Sequence, residues 1–153
     1  MVGIFPRIWE VIPVRREEFD RRAVQKVLEV LRAGEIVLVA PEGTRRPQLS
    51  CAREGVAYLG SRCSVPIIPV AIEGTIGFPA LRFFSRRWRE PGAYVRFGKP
   101  FRYREEYQRP TREQLRLMTD EAMYLLAEML PENRRGYYAD LSKATRQTLE
   151  LIS

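Results

Sequence analysis

The sequence predicts a layered α/β domain: a mixed, largely parallel sheet flanked by helices. Three observations carry that prediction. Two apolar runs, Ile36-Val37-Leu38-Val39-Ala40 and Val65-Pro66-Ile67-Ile68-Pro69-Val70-Ala71-Ile72, lack the in–out alternation of a half-exposed strand and read as strands covered on both faces. A helical pattern precedes the first run and a second helical pattern separates the two, which is the order of parallel crossovers. The length, 153 residues, fits one domain, and a hydrophobic fraction of 45% is enough for a real core.

Residues Ile8 to Val14 are β-rich and suggest a strand ending at Ile12-Pro13-Val14. A helix follows, with Asp20 as N-cap, Ala23, Val24, Val27, Leu28 and Leu31 on one face, and Gly34 closing it. The first buried strand is then Glu35 to Ala40, followed by a loop over Pro41 to Leu49. Cys51 to Arg62 reads as a short helix with Ala52, Val56 and Leu59 inward, although Gly55 and Gly60 weaken it. In the run Val65 to Ile72, Pro66 and Pro69 lack the N–H that a central ladder needs, so it is an edge strand or one with an irregular start.

Gly77 to Gly92 is a loop rich in aromatics and arginine, and Ala93 to Phe97 alternates as a strand that Gly98-Lys99-Pro100 terminates. Thr111 with Gln114 forms a capping box that starts the clearest helix. Leu115, Met118, Ala122, Leu125, Leu126 and Met129 are its apolar stripe, and Pro131 stops it. Ala139 to Ile152 suggests a last, weaker helix. The chain is thus a single domain over 1–153, with an α/β core over 1–110 and C-terminal helices over 111–153.

Composition excludes several classes. There is no histidine and there are only two cysteines, Cys51 and Cys63, well apart, so no metal site is expected and no disulfide framework is implied. No apolar stretch approaches the ~18 residues that span a bilayer, and no charged-then-apolar signal pattern opens the chain. The formal charge of +7 comes almost wholly from arginine. Two readings of it stand: a compositional bias, or an anionic partner such as a phospholipid surface, a phosphorylated metabolite or nucleic acid.

The turn after the first apolar run, Pro41-Glu42-Gly43-Thr44-Arg45, carries the most chemistry. Gly43 permits close backbone approach, the Thr44 hydroxyl donates, and the Arg45 guanidinium can grip two phosphate oxygens in one plane. Ordered around it are Ile12-Pro13-Val14-Arg15-Arg16, Arg53-Glu54-Gly55-Val56-Ala57, Val65-Pro66-Ile67-Ile68-Pro69-Val70, Val95-Arg96-Phe97-Gly98-Lys99-Pro100 and a tail containing Arg135-Gly136-Tyr137. In this set and order, over nearly the whole length, the chain resembles the 1-acylglycerol-3-phosphate acyltransferases of phospholipid synthesis. It departs from them in two places. Arg46 stands where the family's third motif ends in serine, and the family's first motif, His-x-x-x-x-Asp, cannot exist in a chain without histidine.

The resemblance implies a glycerolipid acyltransferase-like fold, lacking at its N-terminus the segment with the first motif. It implies transfer of a fatty acyl group from acyl-CoA or acyl-carrier protein to lysophosphatidic acid, giving phosphatidic acid, with no further cofactor. Arg16, Glu42, Gly43, Thr44 and Arg45 would form the phosphate site, Glu42 by shaping the loop through hydrogen bonds. Val65, Pro66, Ile67 and Pro69 would line the acyl or substrate pocket. No residue here is assigned as catalytic base. The implied location is cytoplasmic, peripheral at the inner face of the membrane.

Alternatives remain open at particular residues. Arg16 is one of four arginines at a solvated helix start (Arg15, Arg16, Arg21, Arg22), and Arg46 either joins the clamp or faces water. The segment Phe78 to Arg89 mixes aromatics and arginines. It would suit a headgroup layer, a loop covering the core, or stacked single-stranded nucleic acid, the last without any accompanying module signature. A non-catalytic module gripping anionic phospholipid is the alternative to the enzyme, and a nucleic-acid partner is not expected.

Overall fold

The computed structural model describes residues 11–13, 20–43, 46–74 and 93–152. The strand expected over Ile8 to Val14 lies largely outside them, and Arg16, Thr44, Arg45 and the whole loop Gly77 to Gly92 lie outside them.

Helix α1, Arg21–Arg32, begins where its cap predicts. The Asp20 side chain accepts from the amides of Arg22 and Ala23, both at 3.1 Å. It ends in a Schellman closure: Gly34 N–H donates to Leu31 O at 3.1 Å and Glu35 N–H to Val30 O at 3.2 Å. Helix α2, Gly55–Cys63, starts four residues later than expected, with Ser64 as its left-handed C-cap. Its Gly60 has a packing reason. A Cβ there would sit 2.6 Å from Ile67 Cδ1 and 3.1 Å from the Tyr103 ring, so only glycine lets α2 approach so closely.

Strand β1, Val70–Glu73, pairs antiparallel with β2, Tyr94–Phe97, in the register Val70 with Phe97 and Glu73 with Tyr94. The two prolines act as expected. Ladder pairing before β1 shrinks to one bridge, in which Ile67 N–H donates to Phe101 O at 2.7 Å and Phe101 N–H to Ile67 O at 2.9 Å. Strand β3, Phe101–Tyr103, pairs antiparallel with β4, Leu149–Leu151. Helix α3, Arg112–Glu128, carries both halves of the capping box: Thr111 N–H donates to Gln114 Oε1 at 2.8 Å and Gln114 N–H to Thr111 Oγ1 at 3.2 Å.

Two expectations are corrected, and a third, the parallel sheet, is not shown among the described residues. Glu35 to Ala40 is not a strand, and it is not covered: Ile36 is 95% and Leu38 86% exposed. No strand lies beside it among the described residues, so its apolar run has no ladder to join. Both ladders among the described residues are antiparallel, and the expected parallel crossovers are not among them. Ala139 to Ile152 is not a helix. After short 3-10 turns over Glu132–Arg134, Gly136–Tyr138 and Leu141–Lys143, the chain extends into β4. Pairing with β3 and a buried carboxylate on α3 outweigh the weak helical pattern there.

Helix α3 divides the core in two. On one side Leu49, Ala52, Ala71, Met123, Ala127, Leu130 and Tyr138 pack together; on the other, Ala57, Phe101, Tyr103, Met118, Leu125 and Leu149. Full burial of side chains as large as Phe101, Met118 and Leu149 contributes about 1.5–3 kcal/mol each. The loop that carries the candidate chemistry is seated on the first of these clusters through Leu49 and Ala52.

Candidate functional site

The turn after Ala40 is closed by its own groups. Gly43 N–H donates to Ala40 O at 3.1 Å, and Gly43 takes the left-handed φ of +67° that a residue with a side chain adopts only at a cost. Among the described residues nothing lies within 4 Å of where a Cβ on Gly43 would stand. The Glu42 carboxylate turns back into the loop. Its Oε1 accepts from Ser50 N–H and, at 2.8 Å, from Ser50 Oγ. Arg53 N–H donates to Pro41 O at 3.0 Å, so residues 41 and 53 are tied across the loop base. Thr44 and Arg45 belong to this turn in sequence but lie outside the described residues, and so does Arg16.

The loop's exit is held from α3. The Arg116 guanidinium makes a two-pronged contact with Asp120, Nε to Oδ2 at 3.0 Å and Nη2 to Oδ1 at 2.6 Å. Its Nη1 donates to Ala52 O at 2.7 Å and to Glu54 Oε1 at 3.2 Å. The Tyr138 hydroxyl donates to Asp120 Oδ1 at 3.0 Å and accepts from Ala52 N–H and Arg116 Nη2, both at 3.3 Å. Burial alone would lower the Arg116 pKa, but the Asp120 hydrogen bond and charge outweigh it and hold the guanidinium above its ordinary value. Burial, followed by the Asp120 charge, pushes the Tyr138 phenol up, against the lowering effect of the Ala52 amide, so it remains a neutral donor. Sequence reading missed this cluster. The signal was the i,i+4 spacing of Arg116 and Asp120 on one helix.

The expected pocket residues are spread along one edge. Ile67 leans on α2 at Gly60 and packs against the second core cluster. Pro69 O accepts from Gly98 N–H at 2.8 Å. Val65 is half-buried and Pro66 exposed. Nearby, Ile68, Ile72, Tyr94, Val95 and Phe97 present exposed apolar side chains. Among the described residues no group of side chains is arranged to hold a metal, and no helix is long and apolar enough to cross a membrane.

The acyltransferase family model matches residues 1–73, a span that contains the whole turn. Residues 1–73 of the chain are thus similar to this acyltransferase family. The 1-acyl-sn-glycerol-3-phosphate acyltransferase of Bacillus subtilis (strain 168) is 24% identical to this chain over 119 residues. That alignment covers 78% of the chain and 57% of the relative, so the chain spans little more than half the relative's length. No solved structure matches. The family match ends at residue 73, so α3 with its cap, and Arg116, Asp120 and Tyr138 of the cluster, lie beyond it.

Proposed function

We propose that this chain is the acceptor-binding part of an O-acyltransferase. The enzyme would move a fatty acyl group from a thioester, acyl-CoA or acyl-carrier protein, to the free hydroxyl of 1-acylglycerol-3-phosphate and so form phosphatidic acid. The observation that carries this reading is the family match across the turn Pro41 to Arg45. Arg45 and Arg16 grip the acceptor phosphate from two loops, Thr44 donates to it, and Gly43, which has no side chain, lets it come close. Glu42, tied to Ser50, shapes the loop and does not repel the incoming anion head-on. Fixing the phosphate fixes the reacting hydroxyl, and such positioning lowers a barrier by several kcal/mol.

A hydroxyl attacks a thioester only as a base takes its proton. The sequence contains no histidine, and the Glu42 carboxylate is engaged within the loop. The 153-residue chain alone is therefore expected to release no thiol from an acyl thioester in the presence of 1-acylglycerol-3-phosphate. The reading places the chain peripherally on an anionic membrane surface at the cytoplasmic face, with exposed Ile36, Leu38, Ile68 and Phe97 toward the lipid. The second reading, a non-catalytic module that grips anionic phospholipid, is favoured by the missing histidine alone.

The test is flotation of the purified chain with phosphatidylcholine vesicles containing lysophosphatidate. Retention that falls with salt, and falls at least about tenfold in Arg45→Ala through loss of a charge-assisted phosphate contact, supports the phosphate loop. Unchanged retention in Arg45→Ala contradicts it. Thiol release by the chain mixed with a histidine-bearing partner segment separates the two readings, because only the enzyme reading allows it.

A further inference from the structure

The family match stops at residue 73, yet much of what holds the candidate loop lies after it. Gln48 Nε2 donates to Asn133 O at 3.0 Å, Leu49 N–H donates to Arg134 O at 2.9 Å, and Tyr137 N–H donates to Leu49 O at 2.9 Å. Gly136 makes the last approach possible: a Cβ on it would sit 2.2 Å from Leu49 O. From the other side, Ala52 is held at both of its backbone groups, its carbonyl by Arg116 and its amide by Tyr138. The next residue, Arg53, ties back to Pro41.

We propose that the segment Arg112 to Tyr138 is the frame that positions the phosphate-binding turn, with Arg116 as its principal positioning residue. The inference rests on the phosphate-loop reading above. Arg116 touches no reacting atom. It acts through Ala52, which sets the place of Arg53 and hence of Pro41, the first residue of the turn. The fork of a guanidinium meets Asp120, Ala52 O and Glu54 at once; a lysine presents a single charged point and cannot hold all three in one plane. Asp120 and Tyr138 complete the frame by fixing the plane of that fork. A substrate site assigned to the first half of the chain is thereby given its geometry by the second half.

Hydrogen exchange and lipid retention on the full 153-residue chain test this together. Wild type is compared with Arg116→Gln, Arg116→Lys and, as a variant that keeps the buried ring, Tyr138→Phe. The Ser50 and Arg53 amides report the loop; the Phe101 and Arg104 amides, bonded to Ile67 O and Thr148 O, report the β3 side of the fold. Arg116→Gln is expected to speed loop exchange at least about tenfold, by loss of a charged hydrogen-bond hub, while the reference amides stay near their wild-type rates. It is also expected to lose the preference for lysophosphatidate over phosphatidylserine vesicles. Arg116→Lys restores the melting temperature but not that preference, and Tyr138→Phe moves both readouts in the same direction by less.

Equal acceleration at loop and reference amides overturns the proposal, because Arg116 then serves only general stability. Unchanged loop exchange overturns it too, as does a preserved lipid preference despite a loosened loop. A wild-type chain that shows no preference for lysophosphatidate defeats the phosphate reading instead, and the exchange comparison then decides the frame by itself.

Discussion

Glu121→Ala is expected to cost about 3–5 kcal/mol of folding stability, the range for breaking a buried, fully hydrogen-bonded charged site. Glu121 lies on α3 and is 1% exposed. Its Oε1 accepts from Thr145 Oγ1 at 2.5 Å and Gln147 N–H at 2.7 Å; its Oε2 accepts from Thr148 N–H at 2.9 Å and Thr148 Oγ1 at 2.5 Å. These four donors replace water around the carboxylate, and all come from the segment that leads into β4. Alanine leaves a cavity and strands two amides and two hydroxyls, of which the Thr148 groups are fully buried. A domain of this size has about 5–15 kcal/mol in total, so the variant is marginal, and β4 is the element expected to detach first. Glu121→Gln keeps the volume but aims an NH₂ at two donors, so it falls between the two. Denaturant unfolding measures the loss. A change below about 1 kcal/mol would show that the tail does not depend on this carboxylate.

Gly136→Ala is expected to cost about 3 kcal/mol, from a left-handed backbone penalty of about 1–2 kcal/mol plus the loss of a backbone hydrogen bond to the loop. Gly136 has φ +48°. A methyl group there meets Leu49 O at 2.2 Å, Gln48 Cβ at 3.0 Å and Leu49 N at 3.1 Å, and two of these three are backbone atoms. The chain cannot give by a side-chain rotation, so the loop and the turn over Gly136–Tyr138 must part. Gly43→Ala is the control. It shares a positive φ, but no described residue stands within 4 Å, so its expected cost is the backbone penalty alone, about 1–2 kcal/mol. Thermal and denaturant unfolding of the two variants should differ by the contact to Leu49. Equal losses would mean that the close approach contributes nothing.

Features written in local chemistry were legible from the sequence. The caps at Asp20 and at Thr111 with Gln114 place both long helices correctly, because a cap is satisfied by residues two or three positions away. Pro66 and Pro69 foretold an interrupted edge strand for the same reason. What failed depended on distant partners. Ile36 to Val39 looks like a central strand, but apolar content does not supply a neighbour to pair with. Leu149 to Leu151 looks helical until Phe101 to Tyr103 offers a ladder and Glu121 draws Thr145, Gln147 and Thr148 toward α3.

The candidate site divides in the same way. The turn Pro41 to Arg45 stands out as a motif, and the expectation that Glu42 shapes the loop through hydrogen bonds is met by the bonds Ser50 donates to it. The grip of Arg116 on Ala52 spans 64 positions, and no local pattern encodes it beyond the pairing of Arg116 with Asp120. The backbone contacts of Leu49 with Arg134 and Tyr137 leave no trace in side-chain identity except Gly136 itself.

The central claim is that the turn following Ala40 cradles a phosphate monoester. Amide chemical shifts of the uniformly labelled chain, followed as glycerol 3-phosphate is added, test it most directly. The account predicts saturable shifts concentrated at Gly43, Thr44, Arg45 and Arg46, with the Ser50 and Arg53 amides following, and their loss in Arg45→Ala. Shifts confined to the basic segment Phe78 to Arg89, or spread evenly over surface arginines with none in the turn, would contradict it.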